Sequence, residues 1–316
     1  MDRPKVSVII PVYKVEQYIE ECARSLFGQT LDEIEYIFVD DCSPDKSIEV
    51  LAEVLKDYPN RASQVKIIRH TENGGVSRSR QDGANASTGK YVIHCDPDDW
   101  VDKDMYRLMY EKAVAADADI VGCDYALEYP DKTEVKRQPF GLVKDDAVEA
   151  IFSGKLHAGL WCRLISRDLI ERAGVKFTDE VVFMEDMLYV VPLHDIAEKV
   201  EYVDKAMYHY RMRGGSATQR MTERNLKSVI TVLDELKKYS RTNAAEYARK
   251  CAIATKTLGL ITQPETYNPE LWRSITEGIH INAFGSRKHR LSPFLVRSRL
   301  DALNYGIIKL YRMLGR

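Results

Sequence analysis

Tyr91-Val92-Ile93-His94-Cys95-Asp96-Pro97-Asp98-Asp99 carries a short run rich in β-formers straight into three carboxylates. Such a run reads as a buried strand. Pro97 cannot donate to a strand ladder, so the strand has to end where the acids begin. Three acids at one strand end repel unless a positive charge sits between them. A hard divalent cation, Mg²⁺ or Mn²⁺, favours oxygen ligands, would relieve that repulsion and could hold a substrate diphosphate. An isolated DxDD would rather read as a solvated acidic turn, so its surroundings have to decide.

Outward from this segment, apolar runs and helical periods alternate. Val6-Ser7-Val8-Ile9-Ile10 is a strand expected to stop at Pro11, and Val15, Tyr18, Ile19, Cys22, Ala23 and Leu26 repeat at helical spacing. Tyr36-Ile37-Phe38-Val39 is a second strand ending in Asp40-Asp41, and Ser43-Pro44 reads as a helix start. Val65-Lys66-Ile67-Ile68 makes a third strand, and Asn73-Gly74-Gly75 turns into a helix reaching about Ala86. A helix over Met105 to Ala116 then leads to a strand at Ile120-Val121-Gly122-Cys123. Strands separated by single helices predict an α/β chain with a mostly parallel, doubly wound sheet. Ligands of such sheets lie beyond the C-terminal strand ends. Asp40-Asp41 and Asp96 to Asp99 would share that rim.

The 316 residues allow one large domain or two smaller ones. With 46 basic against 48 acidic residues there is no global pull toward nucleic acid. Six scattered cysteines form no CxxC pair or zinc spacing and read as thiols in a reducing compartment. Val6 to Ile10 is too short for a signal peptide, and no run reaches the roughly 18 to 20 apolar residues of a membrane span. The expectation is a cytoplasmic enzyme.

Three more segments add polar groups. Pro11-Val12-Tyr13 places a ring at the rim of the first strand, where it could stack on a nucleobase or pack on the sheet edge. Glu185-Asp186 opens an apolar helical run, a position that also suits plain helix-dipole complements. Tyr210-Arg211-Met212-Arg213-Gly214-Gly215-Ser216 joins two arginines to a glycine pair, as a loop closing over phosphate would, or a basic surface loop.

In this order the motifs resemble a family 2 glycosyltransferase with the GT-A fold, of the inverting bacterial polysaccharide type. The resemblance runs from about Lys5 to Ser216, through Val6 to Tyr13, Phe38 to Ser43, Asn73 to Ser77 with Arg80, Asp96 to Asp99, Trp161 to Leu164, Glu185-Asp186 and Tyr210 to Ser216. It implies a nucleotide-sugar donor, most often a UDP-sugar, held by Pro11, Tyr13, Asp40, Asp41 and Arg80. Asp96 would touch ribose or metal, Asp98 would be the principal ligand of Mn²⁺ or Mg²⁺, and Asp99 and Glu185 would support. Trp161 belongs to the supporting set, Asp186 would be the base, and Arg211, Arg213 and Ser216 would grip the diphosphate. Gln81 stands where the family often has asparagine, and Arg163 where lysine is common after the tryptophan.

That reading divides the chain into a nucleotide-sugar half (1–125), an acceptor and base region (126–216) and a helical C-terminal region (217–316). A dehydrogenase would need GxGxxG where Pro11-Val12-Tyr13-Lys14 stands. A nucleotidyltransferase would need a glycine-rich triphosphate loop near the N-terminus. A phosphoacceptor signalling domain would use Asp40-Asp41 but not the later motifs, and a non-catalytic sugar-nucleotide binder would bind without turnover. The last stretch, Arg287 to Arg316, has eight Lys/Arg against Asp301 alone, beside an apolar face of Leu300, Leu303, Tyr305, Ile307, Ile308, Leu310, Tyr311 and Leu314. That face could lie on the inner surface of the cell membrane, near a saccharide or lipid-linked saccharide acceptor, or pack on the enzyme.

Overall fold

The computed structural model describes residues 3–213, 222–279 and 291–313. Among the described residues nine strands form one sheet: β1 Val6–Val12, β2 Ile34–Asp40, β3 Val65–Arg69, β4 Tyr91–His94, β5 Trp100–Val101, β6 Ile120–Glu128, β7 Thr133–Lys136, β8 Arg163–Ser166 and β9 Val200–Arg211. Their order is β3-β2-β1-β4-β8-β6-β9-β5, with β7 beside β6. The β3-β2-β1-β4 half is wholly parallel, as the strand–helix alternation predicts. β8 then runs antiparallel between β4 and β6, while β9 is parallel to β6.

Helices α1 (Ile19–Phe27), α2 (Ser47–Lys56) and α3 (Val76–Ala86) flank the parallel half, and α4 (Met105–Ala116) packs on β6 and β9. One face of β1, through Val6, Val8 and Ile10, shares a core with Ile19, Cys22, Ala23 and Leu26 of α1 and with α2 and α4. On the other face Gly83 of α3 lies so close to Ile9 that an added Cβ would come within 2.4 Å of its side chain. Truncating a fully buried leucine such as Leu26 to alanine would cost about 2–5 kcal/mol.

Two boundaries differ from the sequence reading. β1 continues through Pro11 to Val12. The Ile9 carbonyl faces β4, accepting from Cys95 N at 3.0 Å, so Pro11, two residues on, faces the same way. The last β1–β4 pair is Ile9 with His94, so the N–H that Pro11 lacks would have had no strand to meet. Ser43-Pro44 does not start the second helix. Asp45 Oδ1 accepts from Ser43 Oγ, Ser47 Oγ and Ser47 N, holding a turn, and α2 begins at Ser47.

Beyond β6 come α5 (Lys144–Phe152), α6 (Arg167–Ala173) and α7 (Glu185–Ile196), which pack on the sheet's second half. After β9 the chain is helical, as expected: α8 (Glu223–Glu235), α9 (Asn243–Lys256), α10 (Gly259–Thr262), α11 (Pro269–Ile275), α12 (Leu291–Arg297) and α13 (Asp301–Met313). Val232, Leu236, Ala245 and Ala248 join the core of α5 to α7, tying α8 and α9 to the sheet domain. A smaller core around Trp272 gathers Ala254, Leu260, Ile261 and Val296. No helix among the described residues is long and apolar enough to cross a membrane.

Candidate functional site

Beyond the C-terminal ends of β1, β2 and β4 opens a cavity of about 790 Å³. It is lined at one end by Pro11, Tyr13, Asp41, Arg80, Asp96, Asp98, Glu185, Asp186 and Arg213. One member of the first acidic cluster, two of the second, and Asp186, expected from sequence to be the base, therefore meet on one rim.

The Asp41 end of the cavity is built by local turns. Gly75, at φ 88° before α3, takes a left-handed conformation that favours glycine. There Gly74 N and Gly75 N each donate to the Asp41 carboxylate at 2.8 Å, joined by Asn73 Nδ2 at 2.8 Å and by the His70 ring at 2.7 Å. Asp41 thus organises the 73–75 turn and is only 3% exposed, a poor position for a phosphoacceptor. Asp40, expected on the donor, instead accepts from Ser43 N at 2.9 Å and does not line the cavity. Tyr13 is 40% exposed, with the Lys14 ammonium 5.1 Å from its ring centroid.

Arg80 is the electrostatic centre. It is buried, donates to Asp96 at 3.1 Å and Asp186 at 2.7 Å, and pairs with Glu185. Met184, left-handed at φ 66°, turns the chain so that Glu185 and Asp186 form the first turn of α7. Burial pushes the Asp186 pKa up to about 7, partly opposed by Arg80. A carboxylate poised there is suited to taking a proton near neutral pH.

Nearby, Arg213 meets Asp98 at 2.7 Å. Burial and then Asp96 push the Asp98 pKa up, while Arg213 opposes them. Asp99 is buried and accepts from Tyr208 Oη at 2.7 Å and Arg211 N at 2.8 Å. Trp161 does not reach the cavity; it stacks on Tyr208 with ring centroids 4.4 Å apart, supporting Asp99 from behind. Arg211, expected on the diphosphate, is directed elsewhere. Its guanidinium lies 4.5 Å from the Trp100 ring centroid, donates to the Asp98 carbonyl at 2.9 Å and pairs with Glu21. Ser216 lies outside the described residues.

Among the described residues no three His, Cys, Asp or Glu side chains converge as a ready-made metal cage. Asp96 and Asp98 nevertheless line the cavity together. That pair fits a Mg²⁺-like ion, which uses one or two carboxylates and completes its shell with phosphate oxygens and water.

The sequence reading missed the far end of the cavity. Phe152, Leu156, His157, Phe183, Met187 and the α9 residues Cys251, Ala252, Thr255 and Lys256 line it. The buried Arg163 donates to Gly159 O at 2.6 Å, to His194 Nε2 at 3.2 Å and to the His157 carbonyl, fixing the 157–159 wall. Burial, with Arg163 and Lys256 nearby, lowers the His157 pKa to about 4, so the ring is neutral. An arginine after Trp161 was visible in the sequence, but its partners were not.

The family model described as glycosyl transferase family 2 matches residues 7–174. An uncharacterized glycosyltransferase, EpsJ of Bacillus subtilis, is 35% identical over 223 residues, 68% of this chain. The cholesterol galactosyltransferase of Borreliella burgdorferi is 33% identical over 233 residues, 69% of this chain. The matched part spans 63% of the length of each of these relatives. Among solved structures, S. aureus TarS 1–349 in complex with UDP-GlcNAc superposes with a TM-score of 0.69 at 19% identity, covering 99% of this chain and 92% of that one. The mannosyltransferase PcManGT from Pyrobaculum calidifontis, with GDP-Man and Mn²⁺, gives 0.56 at 15% identity, covering 100% of this chain and 89% of that one. These two likenesses show the GT-A architecture.

Proposed function

Because the chain belongs to glycosyl transferase family 2, we propose that this glycosyltransferase moves a hexosyl group from a UDP-sugar to an acceptor hydroxyl, inverting the anomeric centre in one displacement. The observation that carries the proposal is Asp186 sharing one cavity with Asp96, Asp98 and Arg213 while Arg80 neutralises the carboxylates between them. Tyr13 would stack on the base, and the turn locked by Asp41 would frame the nucleoside. Arg213 would contact the diphosphate after leaving Asp98. Asp186 would take the acceptor proton on the sugar face opposite the leaving group, a step worth ~10²- to 10⁴-fold. Asp98 and Asp96 would hold Mn²⁺ or Mg²⁺, whose charge would stabilise the departing diphosphate. The bound UDP-GlcNAc of TarS and the GDP-Man with Mn²⁺ of PcManGT support the donor class and the ion.

Asp98→Ala should weaken UDP binding at least about ten-fold in calorimetry with Mn²⁺ present, and chelation should do the same to the wild type. Equal affinity in the two proteins, without any metal dependence, would remove Asp98 from the donor site.

We place the reaction in cell-surface or exopolysaccharide synthesis on the cytoplasmic side of the membrane. Support comes from GgaB of Bacillus subtilis, a minor teichoic acid biosynthesis protein 29% identical over 67% of this chain, though only 24% of GgaB is matched. The C-terminus is proposed to dock on that membrane. In α13 the buried Asn304 donates to Ile261 O at 2.9 Å, and Ile308 lies on the same side. A second apolar stripe, Leu303 and Leu310 with Tyr311, remains exposed, as do Phe294 and Leu300. Such a stripe flanked by basic residues suits an anionic interface, where each Lys or Arg adds about 1 kcal/mol. The full chain should co-sediment with phosphatidylglycerol liposomes at low salt, and Leu303→Glu with Leu310→Glu should release it without lowering Tm. Vesicle binding that ignores these substitutions would argue against docking through α13.

A further inference from the structure

Asp96-Pro97-Asp98-Asp99 closes on itself as a β-turn. Asp99 N donates to the Asp96 carbonyl at 3.1 Å, and proline occupies the second position, where its fixed φ suits such a turn. Asp96 and Asp98 line the cavity, whereas Asp99 does not. Both oxygens of Asp99 are instead taken up by β9, Oδ1 accepting from Arg211 N at 2.8 Å and Oδ2 from Tyr208 Oη at 2.7 Å. The same hydroxyl accepts from Asp96 N at 3.1 Å. One oxygen atom thus joins the first and last residues of the turn and ties both to β9.

Packing alone does not call for that hydroxyl. The Tyr208 side chain is fully buried with its ring stacked on Trp161, and phenylalanine would fill the same place. Burying a hydroxyl costs free energy unless it is hydrogen-bonded, and among the described residues both of its partners belong to the turn. Another tie from β9, Arg211 Nε on the Asp98 carbonyl at 2.9 Å, comes from a long, partly exposed side chain. The Tyr208 ring, wedged on Trp161, is the stiffer reference. Stiffness matters to the two cavity-facing acids, because an ion of the Mg²⁺ type demands oxygen ligands at close to ideal positions.

We propose that Tyr208 is a positioning residue for the cation, its hydroxyl setting the placement of Asp96 and Asp98 by pinning both ends of the turn that carries them. This rests on the reading of Asp96 and Asp98 as the holders of Mn²⁺ or Mg²⁺. Tyr208 touches neither ion nor substrate and acts only through the turn. β9 then frames the donor end twice, through Tyr208 on the turn and, two residues past its last, through Arg213 on Asp98.

The test is Tyr208→Phe in the full chain, which removes the hydroxyl and keeps the ring on Trp161. Mn²⁺ uptake with UDP present is read from the loss of the free-ion EPR signal. UMP binding, read by NMR with EDTA present, probes the Asp41–Tyr13 end alone. The variant should bind Mn²⁺ about ten-fold more weakly, bind UMP like the wild type, and regain most of its kcat at high Mn²⁺. Trp161→Phe, which loosens the stack but keeps the hydroxyl, should lower Tm while Mn²⁺ affinity stays within a few-fold. Unchanged Mn²⁺ affinity in Tyr208→Phe would overturn the proposal. So would UMP binding that falls as far as Mn²⁺ binding, or a Trp161→Phe variant that loses as much Mn²⁺ affinity as Tyr208→Phe, since either would make the role one of packing. A wild type that takes up no Mn²⁺ with UDP present would instead count against Asp96 and Asp98 as the ion's holders, and the proposal would fall with that reading.

Discussion

Asp186→Asn should lower turnover by about 10²- to 10⁴-fold while UDP affinity stays within a few-fold, because the amide keeps shape and hydrogen bonding but accepts no proton. The wild type should carry a matching pH signature. Burial raises the Asp186 pKa to about 7, so the basic form is the minority below that pH. kcat/KM, which reports the free enzyme, should rise about ten-fold per pH unit on the acid side and level off above about 7. In Asp186→Asn that limb should vanish with the activity. A variant that keeps near-normal turnover would move the base elsewhere, with Glu185 the first group to replace.

Arg80→Met should be the most damaging substitution for the fold. The guanidinium is buried among Asp96, Glu185 and Asp186. Removing one partner of a buried ionic network leaves uncompensated charge, at a cost of about 3–5 kcal/mol. The loss should depend on pH. The Asp186 pKa is raised in the folded state, so the native protein holds that proton more tightly than the unfolded chain does. Its contribution to stability is therefore complete below about pH 4 and is lost as pH rises toward about 7. With Arg80 gone only the weaker pull of Arg163 offsets that loss, so the deficit in urea unfolding should be smaller at pH 5 than at pH 8. Arg80→Lys should fall between, keeping the charge but not the fork that reaches several carboxylates. A pH-independent deficit would mean that packing, not charge, is what Arg80 supplies.

Much of the parallel half was legible because its signals are local. The helix over Met105 to Ala116 appears with those bounds, and Gly75 opens α3 as the Asn73-Gly74-Gly75 turn predicts. Pro11 misled because its effect depends on which neighbour its missing N–H would face, and that is set by where β4 ends. The acids of the site were visible as strand-end and helix-start motifs, but their partners were not. Arg80 meets groups 16, 105 and 106 residues away. Asp41 is engaged by a histidine 29 residues on. The placement of Arg211, at the end of β9, over Trp100 depends on β9 pairing with β5. Lys256 lies in a segment where periodicity reports a helix but not which wall it closes.

The Arg213–Asp98 contact has a thermodynamic consequence for the order of events. The guanidinium beside Asp98 Oδ2 repels a cation approaching the same carboxylate, so the two oppose each other at Asp98. Two ligands that bias one equilibrium do so reciprocally. An anion that draws Arg213 away would strengthen cation capture by the same factor that the cation strengthens anion binding. Nucleotide and metal ion would then each bind weakly alone and tightly together, and the empty protein would discriminate against stray cations without any separate gate.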